Sequence, residues 1–145
     1  MQKFTIRQFQ ASDALEVYDM LESTEELHVC GFTYSQKAVR NWHVTRAEDI
    51  ILIVEVEGEV VGFISSKLND PEPGSAYIDC IAVKPNYRGR KIGQKLLNQC
   101  ISLLKARGVF FVALEVKSNF PRSINFWEKN NFKGKQNMLW LYKEI

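Results

Sequence analysis

The sequence predicts an α/β protein: a mixed central sheet of about six to seven strands flanked by about four helices, in a single domain spanning residues 1–145. Three observations predict it. Stretches with apolar residues at period two interleave with stretches at three- and four-residue spacing, in the order β-α-α-β-β-β-α-β-α-β. The run VFFVALEV (109–116) is apolar almost throughout, the pattern of a strand covered on both faces, as parallel strands are. Finally, 145 residues with 46% hydrophobic side chains suit one ordinary globular core.

Taken in order, FTIRQF (4–9) alternates apolar and polar and reads as an edge strand. Ser12 is placed to cap a helix running to residue 22, with Ala14, Leu15, Val17, Tyr18 and Leu21 on its apolar side. Residues 23–34 are irregular, and Ser35 caps a second helix to about residue 46. DIILIVEVEGEVVGFISSKL (49–68) reads as a hairpin turning at Glu57-Gly58, followed by a loop at 69–75. AYIDCIAV (76–83) is strand-like and stops at Pro85, and a helix over 92–107 ends where Gly108 can cap it. Pro121 opens a helix to about Asn131, and MLWLYKE (138–144) reads as the last strand. Trp42 and Trp140 are assigned to core or sheet packing, and His28 and His43 to loop and helix surfaces.

The N-terminal MQKFTIRQFQ lacks the apolar segment of a secretory signal, and no apolar run approaches the ~18 residues of a membrane-spanning helix. Cys30, Cys80 and Cys100 are odd in number and fit no C-x-x-C pattern, as expected of reduced, buried thiols. A cytoplasmic protein, monomer or homodimer, without metal or membrane partner, is the expectation.

The net charge of +2 conceals segregation. Between Asp79 and Glu115 there is no acid but seven bases: Lys84, Arg88, Arg90, Lys91, Lys95, Lys105 and Arg107. Residues 8–36 carry six acids and no Lys or Arg. Cations gathered where the 92–107 helix begins oppose its macrodipole, at roughly 0.3–1 kcal/mol each, so helix formation does not account for them. A bound anion does. Outward-pointing amides at a helix start, glycines that let the backbone approach, and arginines that grip oxygens together suit a phosphate or pyrophosphate. The P-loop pattern fails, because Gly89 and Gly93 are one residue too close and no Ser or Thr follows Lys95. The dinucleotide fingerprint is also absent. A nucleic-acid backbone fits the charge, but no aromatic stacking module accompanies it, so nucleic acid is not the expected partner.

IAVKPNYRGRKIG (81–93) resembles the acetyl-CoA motif [QR]-x-x-G-x-[GA] of the GCN5-related N-acetyltransferases, with Arg88 first, Gly93 last and Lys91 in place of the middle glycine. LEVKSNFPRSINFWEKNNF (114–132) resembles the family's L-E-V-x-x-x-N-x-x-A-x-x-x-Y-x-x-x-G-F segment. It keeps Leu114, Glu115, Val116, Asn119 and Phe132, and departs at Ser123, Trp127 and Asn131. The resemblance implies the GNAT fold, in which strands 76–83 and 109–116 splay apart to form the acetyl-CoA cleft. It implies that Ile81, Ala82 and Val83 hold the pantetheine arm, with the Ile81 N–H polarising the thioester carbonyl. Arg88, Gly89, Arg90, Lys91, Ile92 and Gly93 wrap the pyrophosphate, and Asn119, Phe126 and Trp127 complete the cofactor contacts. In the same view Lys91 is harmless unless its position requires a positive φ.

Acetyl transfer needs a neutral amine, hence a base. Glu115, an isolated acid in an apolar strand whose burial would raise its pKa, is the leading candidate, and it matches the glutamate thought to be the base in the ribosomal-protein N-terminal acetyltransferases. Asp79 and Tyr77 on the other splayed strand follow. The family's usual acid, a tyrosine, is replaced by Trp127, whose indole donates a hydrogen bond but delivers no proton; Tyr142 is the alternative. The resemblance thus implies transfer from acetyl-CoA to a primary amine of a small molecule, peptide or protein. The competing reading is a CoA-binding sensor or assembly domain without catalysis.

Overall fold

The structure, a computed structural model, describes residues 3–28, 34–69 and 74–145. Its chain divides into two compact units, Met1–Glu115 and Val116–Ile145.

The first unit is built on a five-stranded sheet: β1 (Phe4–Gln8), β2 (Ile50–Val56), β3 (Glu59–Leu68), β4 (Ser75–Val83) and β5 (Phe111–Leu114), side by side in that order. The first three pairings are antiparallel and β4–β5 is parallel. The β2–β3 turn falls at Glu57-Gly58 as the sequence predicts. Both residues have positive φ, 51° and 81°, and Val56 faces Glu59, so this is a two-residue hairpin whose twist matches the strands. Among the described residues β1 pairs only with β2 and is an edge strand, also as predicted.

One face of the sheet carries α1 (Ala14–Ser23), α2 (Gln36–Arg40) and α3 (Trp42–Thr45). Val17, Met20, Leu21, Val39 and Trp42 meet Phe9, Ile51, Ile53, Phe63, Cys80 and Ala82 there in one apolar cluster. Against the sheet also packs α4 (Ile92–Ala106), through buried Leu96, Leu97, Cys100 and Leu104 at helical spacing. A side chain on Gly62 of β3 would run into the Ala82 carbonyl at 2.9 Å and come within 3.6 Å of Leu96, so β3, β4 and α4 close up only over a glycine. Gly108, at φ 83°, ends α4 with its N–H on the Lys105 carbonyl while the Val109 N–H reaches Leu104. That is a Schellman termination.

The second unit holds α5 (Pro121–Lys129), with Pro121 in the first turn where its missing N–H costs nothing. Asn131 closes the helix at φ 67°, its N–H on Glu128 and that of Phe132 on Trp127. Asparagine is the side chain that tolerates this left-handed position best after glycine.

Several expectations are corrected. Among the described residues the sheet has five strands, where six to seven were expected, and there are five α-helices, where about four were expected. Residues 138–144 form no strand: Leu139 and Leu141 are exposed, as are Trp140 and Tyr142, so Trp140 packs in no core. A period-two pattern describes side chains, whereas a strand exists only where a neighbour supplies backbone partners. The 109–116 run is a strand over Phe111–Leu114 alone and is not covered on both faces, since Phe110 and Phe111 are exposed. The 35–46 helix breaks at Asn41, whose N–H is shared between the Lys37 and Ala38 carbonyls. Ser35 does cap α2, accepting from the Ala38 N–H at 3.0 Å. At α1, a 3-10 turn (Ala11–Asp13) precedes the helix, and Asp13 rather than Ser12 accepts the local N–H, from Gln10 at 2.7 Å.

Cys80 and Cys100 are free and buried, and Cys30 lies outside the described residues. Burial pushes both thiols up, and for Cys80 the nearby Asp79 carboxylate adds to the effect. Since the thiolate is the nucleophile, alkylation of the native protein by iodoacetamide at pH 8 leaves the Cys80 and Cys100 peptides unmodified. Unfolding in urea exposes both to complete labelling. Peptide mass spectrometry reads either result.

Candidate active site

The arrangement starts from β4. Its first residues, Ser75–Ile78, pair in parallel with Phe111–Leu114 of β5, and there the pairing ends. From Asp79 to Val83, β4 keeps β3 on one side and has no strand partner on the other among the described residues. The result is an open backbone edge in the middle of a sheet. A bulge marks the point of divergence: Ser65 faces Cys80 and Ser66 faces Ile78, leaving Asp79 as the extra residue.

Beyond Val83 the chain passes through a 3-10 turn (Pro85–Tyr87) and the residues 88–91 into α4. No side chain caps α4, so its first amides point outward without a side-chain acceptor. Arg88, Arg90, Lys91 and Lys95 are exposed around that end. The loop has internal supports. Arg88 Nε donates to the Val83 carbonyl at 3.0 Å, and the Arg90 guanidinium lies 5.1 Å over the Tyr87 ring. Lys84 Nζ bridges Glu16 at 3.0 Å and Glu59 at 3.2 Å, while the Tyr87 hydroxyl donates to Glu59 at 3.3 Å. The acids of residues 8–36 thus share in holding the root of this loop: Glu16 is one of Lys84's two carboxylates.

Lys91 turns out to occupy the position that requires a positive φ: 61°, with ψ 19°. Left-handed backbone costs a non-glycine residue about 1–2 kcal/mol, so the lysine carries strain that the family's glycine would not.

Glu115 follows β5 directly and is exposed, not buried as the apolar run around it led one to expect. Tyr77 of β4 has its own hydroxyl pKa pushed up, by burial first and then by the Glu115 carboxylate, so the two groups lie near each other where β4 and β5 still pair. Asp79 is held tightly. Its Oδ2 accepts from Ser65 Oγ at 2.9 Å and meets Arg46 Nη2 at 2.8 Å. Burial raises its pKa in spite of the arginine. Sequence reasoning missed Arg46 and Ser65 altogether, because neither stands in a motif.

Asn119, Phe126, Trp127 and Tyr142 lie in the second unit. Asn119 is exposed. Trp127 is buried between Phe126 and Phe132, with ring centroids 5.0 and 5.1 Å away, both edge-on. Tyr142 is exposed and its ring lies 5.5 Å from that of Trp140. Each histidine bonds to a nearby carbonyl: His28 to Glu22, and His43 to Arg40, each at 2.7 Å.

With parallel strands that part, and an unpaired backbone edge leading into a cationic helix start, the comparison with known proteins is decisive. Residues 14–132 match the sequence model of the Acetyltransferase (GNAT) family. The chain belongs to the GNAT family of acetyltransferases. An acetyltransferase of Sodalis glossinidius is 35% identical over 97 residues, which are 67% of this chain and 66% of that one. The crystal structure of Ard1 from Thermoplasma volcanium superposes with a TM-score of 0.78 at 26% identity, over 92% of this chain and 84% of that one. AAC(6')-Iy, solved with a CoA-S-monomethyl-acetylneamine bisubstrate analogue, shares the fold, with a TM-score of 0.80 at 15% identity over 99% of each chain. The matched stretches span 44 to 66% of the length of the curated relatives.

Replacing Lys91 by glycine relieves the left-handed strain and raises only the freedom of the unfolded chain against it. Lys91→Gly therefore raises the unfolding free energy by about 0.5–1 kcal/mol in urea titrations. A loss of stability would show that the lysine side chain holds the loop.

Proposed function

We propose that the chain transfers an acetyl group from acetyl-CoA to a primary amine of a small molecule, peptide or protein by direct attack on the thioester. The single observation that carries this reading is the parting of β4 from β5 after Ile78, beside the cationic start of α4. Both units form one acetyltransferase domain, 1–145, a reading supported by a family match that runs from residue 14 to 132 across both.

Acetyl-CoA supplies an activated acyl group. The residues present suit it. The edge at Asp79–Val83, which has no strand partner among the described residues, offers backbone groups, those of Ile81 foremost, to an extended amide-bearing arm, as a missing strand would; the Val83 carbonyl already accepts from Arg88 Nε. The Ile81 N–H, on that stretch, donates to the thioester oxygen, and such a donor acts most strongly on the negative charge that develops in the transition state. The amides of Arg88–Gly93 and the guanidinium groups of Arg88 and Arg90 take the pyrophosphate. Asn119, Phe126 and Trp127, in the second unit, are the further residues that the resemblance assigns to cofactor contacts.

Glu115 takes a proton from the attacking amine, directly or through a water. Its exposure leaves it accessible to an incoming amine. The neighbouring Tyr77 orients its carboxylate. A thiolate is a tolerable leaving group near neutral pH, so no tyrosine is needed at Trp127.

Calorimetric titration with acetyl-CoA tests the site. The wild-type chain binds, and Arg88→Glu, which sets an anion against the pyrophosphate, lowers affinity by about tenfold or more. A folded wild-type chain that does not bind overturns the reading. In an amine screen with release of free thiol as the signal, Glu115→Gln lowers kcat on the order of a hundredfold while the acetyl-CoA Kd stays put. Binding without thiol release from any amine would identify a CoA sensor instead.

A further inference from the structure

The bulge at Asp79 is clamped by a polar network that no sequence motif announces. Arg46, just beyond α3, uses nearly its whole guanidinium: Nε to Asp49 Oδ2 at 2.8 Å, Nη1 to Ser65 Oγ at 2.6 Å, and Nη2 to both the Ser66 carbonyl at 3.2 Å and Asp79 Oδ2 at 2.8 Å. Its flat face lies 5.0 Å from the Trp42 ring centroid. The Ser65 hydroxyl in turn donates a hydrogen bond to Asp79 Oδ2 at 2.9 Å, and Asp49 Oδ1 accepts the Leu68 N–H at 3.2 Å. The arginine and Asp79 side chains are 9% and 12% exposed, and Ser65 is fully buried. One side chain therefore ties the end of α3, the start of β2, two residues of β3 and the extra residue of β4.

Such a network is an uneconomical way to gain stability. Desolvation of two charges offsets most of their attraction, and an apolar substitute of equal volume often serves as well. Buried polar groups with every partner satisfied do something else: they select one arrangement over its near neighbours. The near neighbour here is a β4 that pairs with β3 without the bulge. A one-residue change of register sends each side chain beyond that point to the opposite face. It would also turn the backbone groups of Ile81 and Val83 away from the open edge.

The geometry points to Arg46 as a positioning residue for the acetyl-CoA cleft, fixing the bulge at Asp79 so that β4 leaves β5 at Ile78 and presents its free backbone edge. In this assignment Asp79 is the anchor that Arg46 grips, and it touches neither substrate. The inference rests on the acetyl-CoA reading of the edge.

Arg46→Lys tests it, because an ammonium keeps the charge but cannot serve Asp49, Ser65, Ser66 and Asp79 from one plane. Acetyl-CoA affinity is measured by calorimetry well below the melting temperature, beside Asp79→Asn, Asp79→Ala and a core control, Ile53→Ala. Misplacing the edge lowers affinity about tenfold in Arg46→Lys and Asp79→Ala. Asp79→Asn, which keeps an acceptor of the same shape, falls between these and wild type. Ile53→Ala melts earlier yet binds as wild type, which separates positioning from general destabilisation. Should Arg46→Lys fail to fold, the graded loss from Asp79→Asn to Asp79→Ala decides the matter. Wild-type affinity in every folded network variant overturns the role of Arg46 and leaves the acetyl-CoA reading intact. A wild-type chain that does not bind overturns both.

Discussion

Parallel pairing between β4 and β5 lasts for four residues, and the rest of the molecule's chemistry depends on its ending there. A strand in the interior of a sheet normally has both edges occupied, because an unsatisfied backbone group is costly. Here one edge of Asp79–Val83 is left open while the other stays in register with β3. Under the proposed function the pantetheine arm, with its own amides, occupies that gap. The strand then runs straight into α4, so the open edge and the outward-pointing helix amides are separated only by the short loop 84–91. The covalent chain thus bounds the distance between the two.

Charge is distributed to suit this plan. The loop's root is neutralised by Glu16 and Glu59 on Lys84, and Glu59 also receives the Tyr87 hydroxyl. The exposed cations beyond it, Arg88, Arg90, Lys91 and Lys95, cluster within about one helical turn of the α4 start. These surface pairs add little stability individually. Their value lies in holding the loop's shape, so that less ordering would remain to be done on binding the anion proposed above.

Much of this was legible in the sequence. The cationic strand–loop–helix at 81–93, the hairpin at Glu57-Gly58, the cap at Ser35 and the Gly108 stop each depend on neighbours a few residues away, which is the range over which sequence patterns speak. What was not legible depends on distant partners. Residues 138–144 have a strand's side-chain pattern and no ladder, and VFFVALEV is strand only over Phe111–Leu114. Glu115 looked buried because its neighbours are apolar, but an edge strand exposes what a central strand hides. Arg46 and Ser65 left no trace, since an arginine at the end of a short helix is unremarkable until a bulged aspartate from another strand meets it.

Two positions where the family pattern has glycine are occupied here by Lys91, entering α4, and Asn131, leaving α5, and both keep the left-handed backbone. The asparagine holds it at little cost, the lysine at more. At these two places the chain holds an angle that glycine adopts freely, whichever side chain has to bear it. A pattern written in residue letters loses this chain at both points; a pattern written in backbone torsions would keep it.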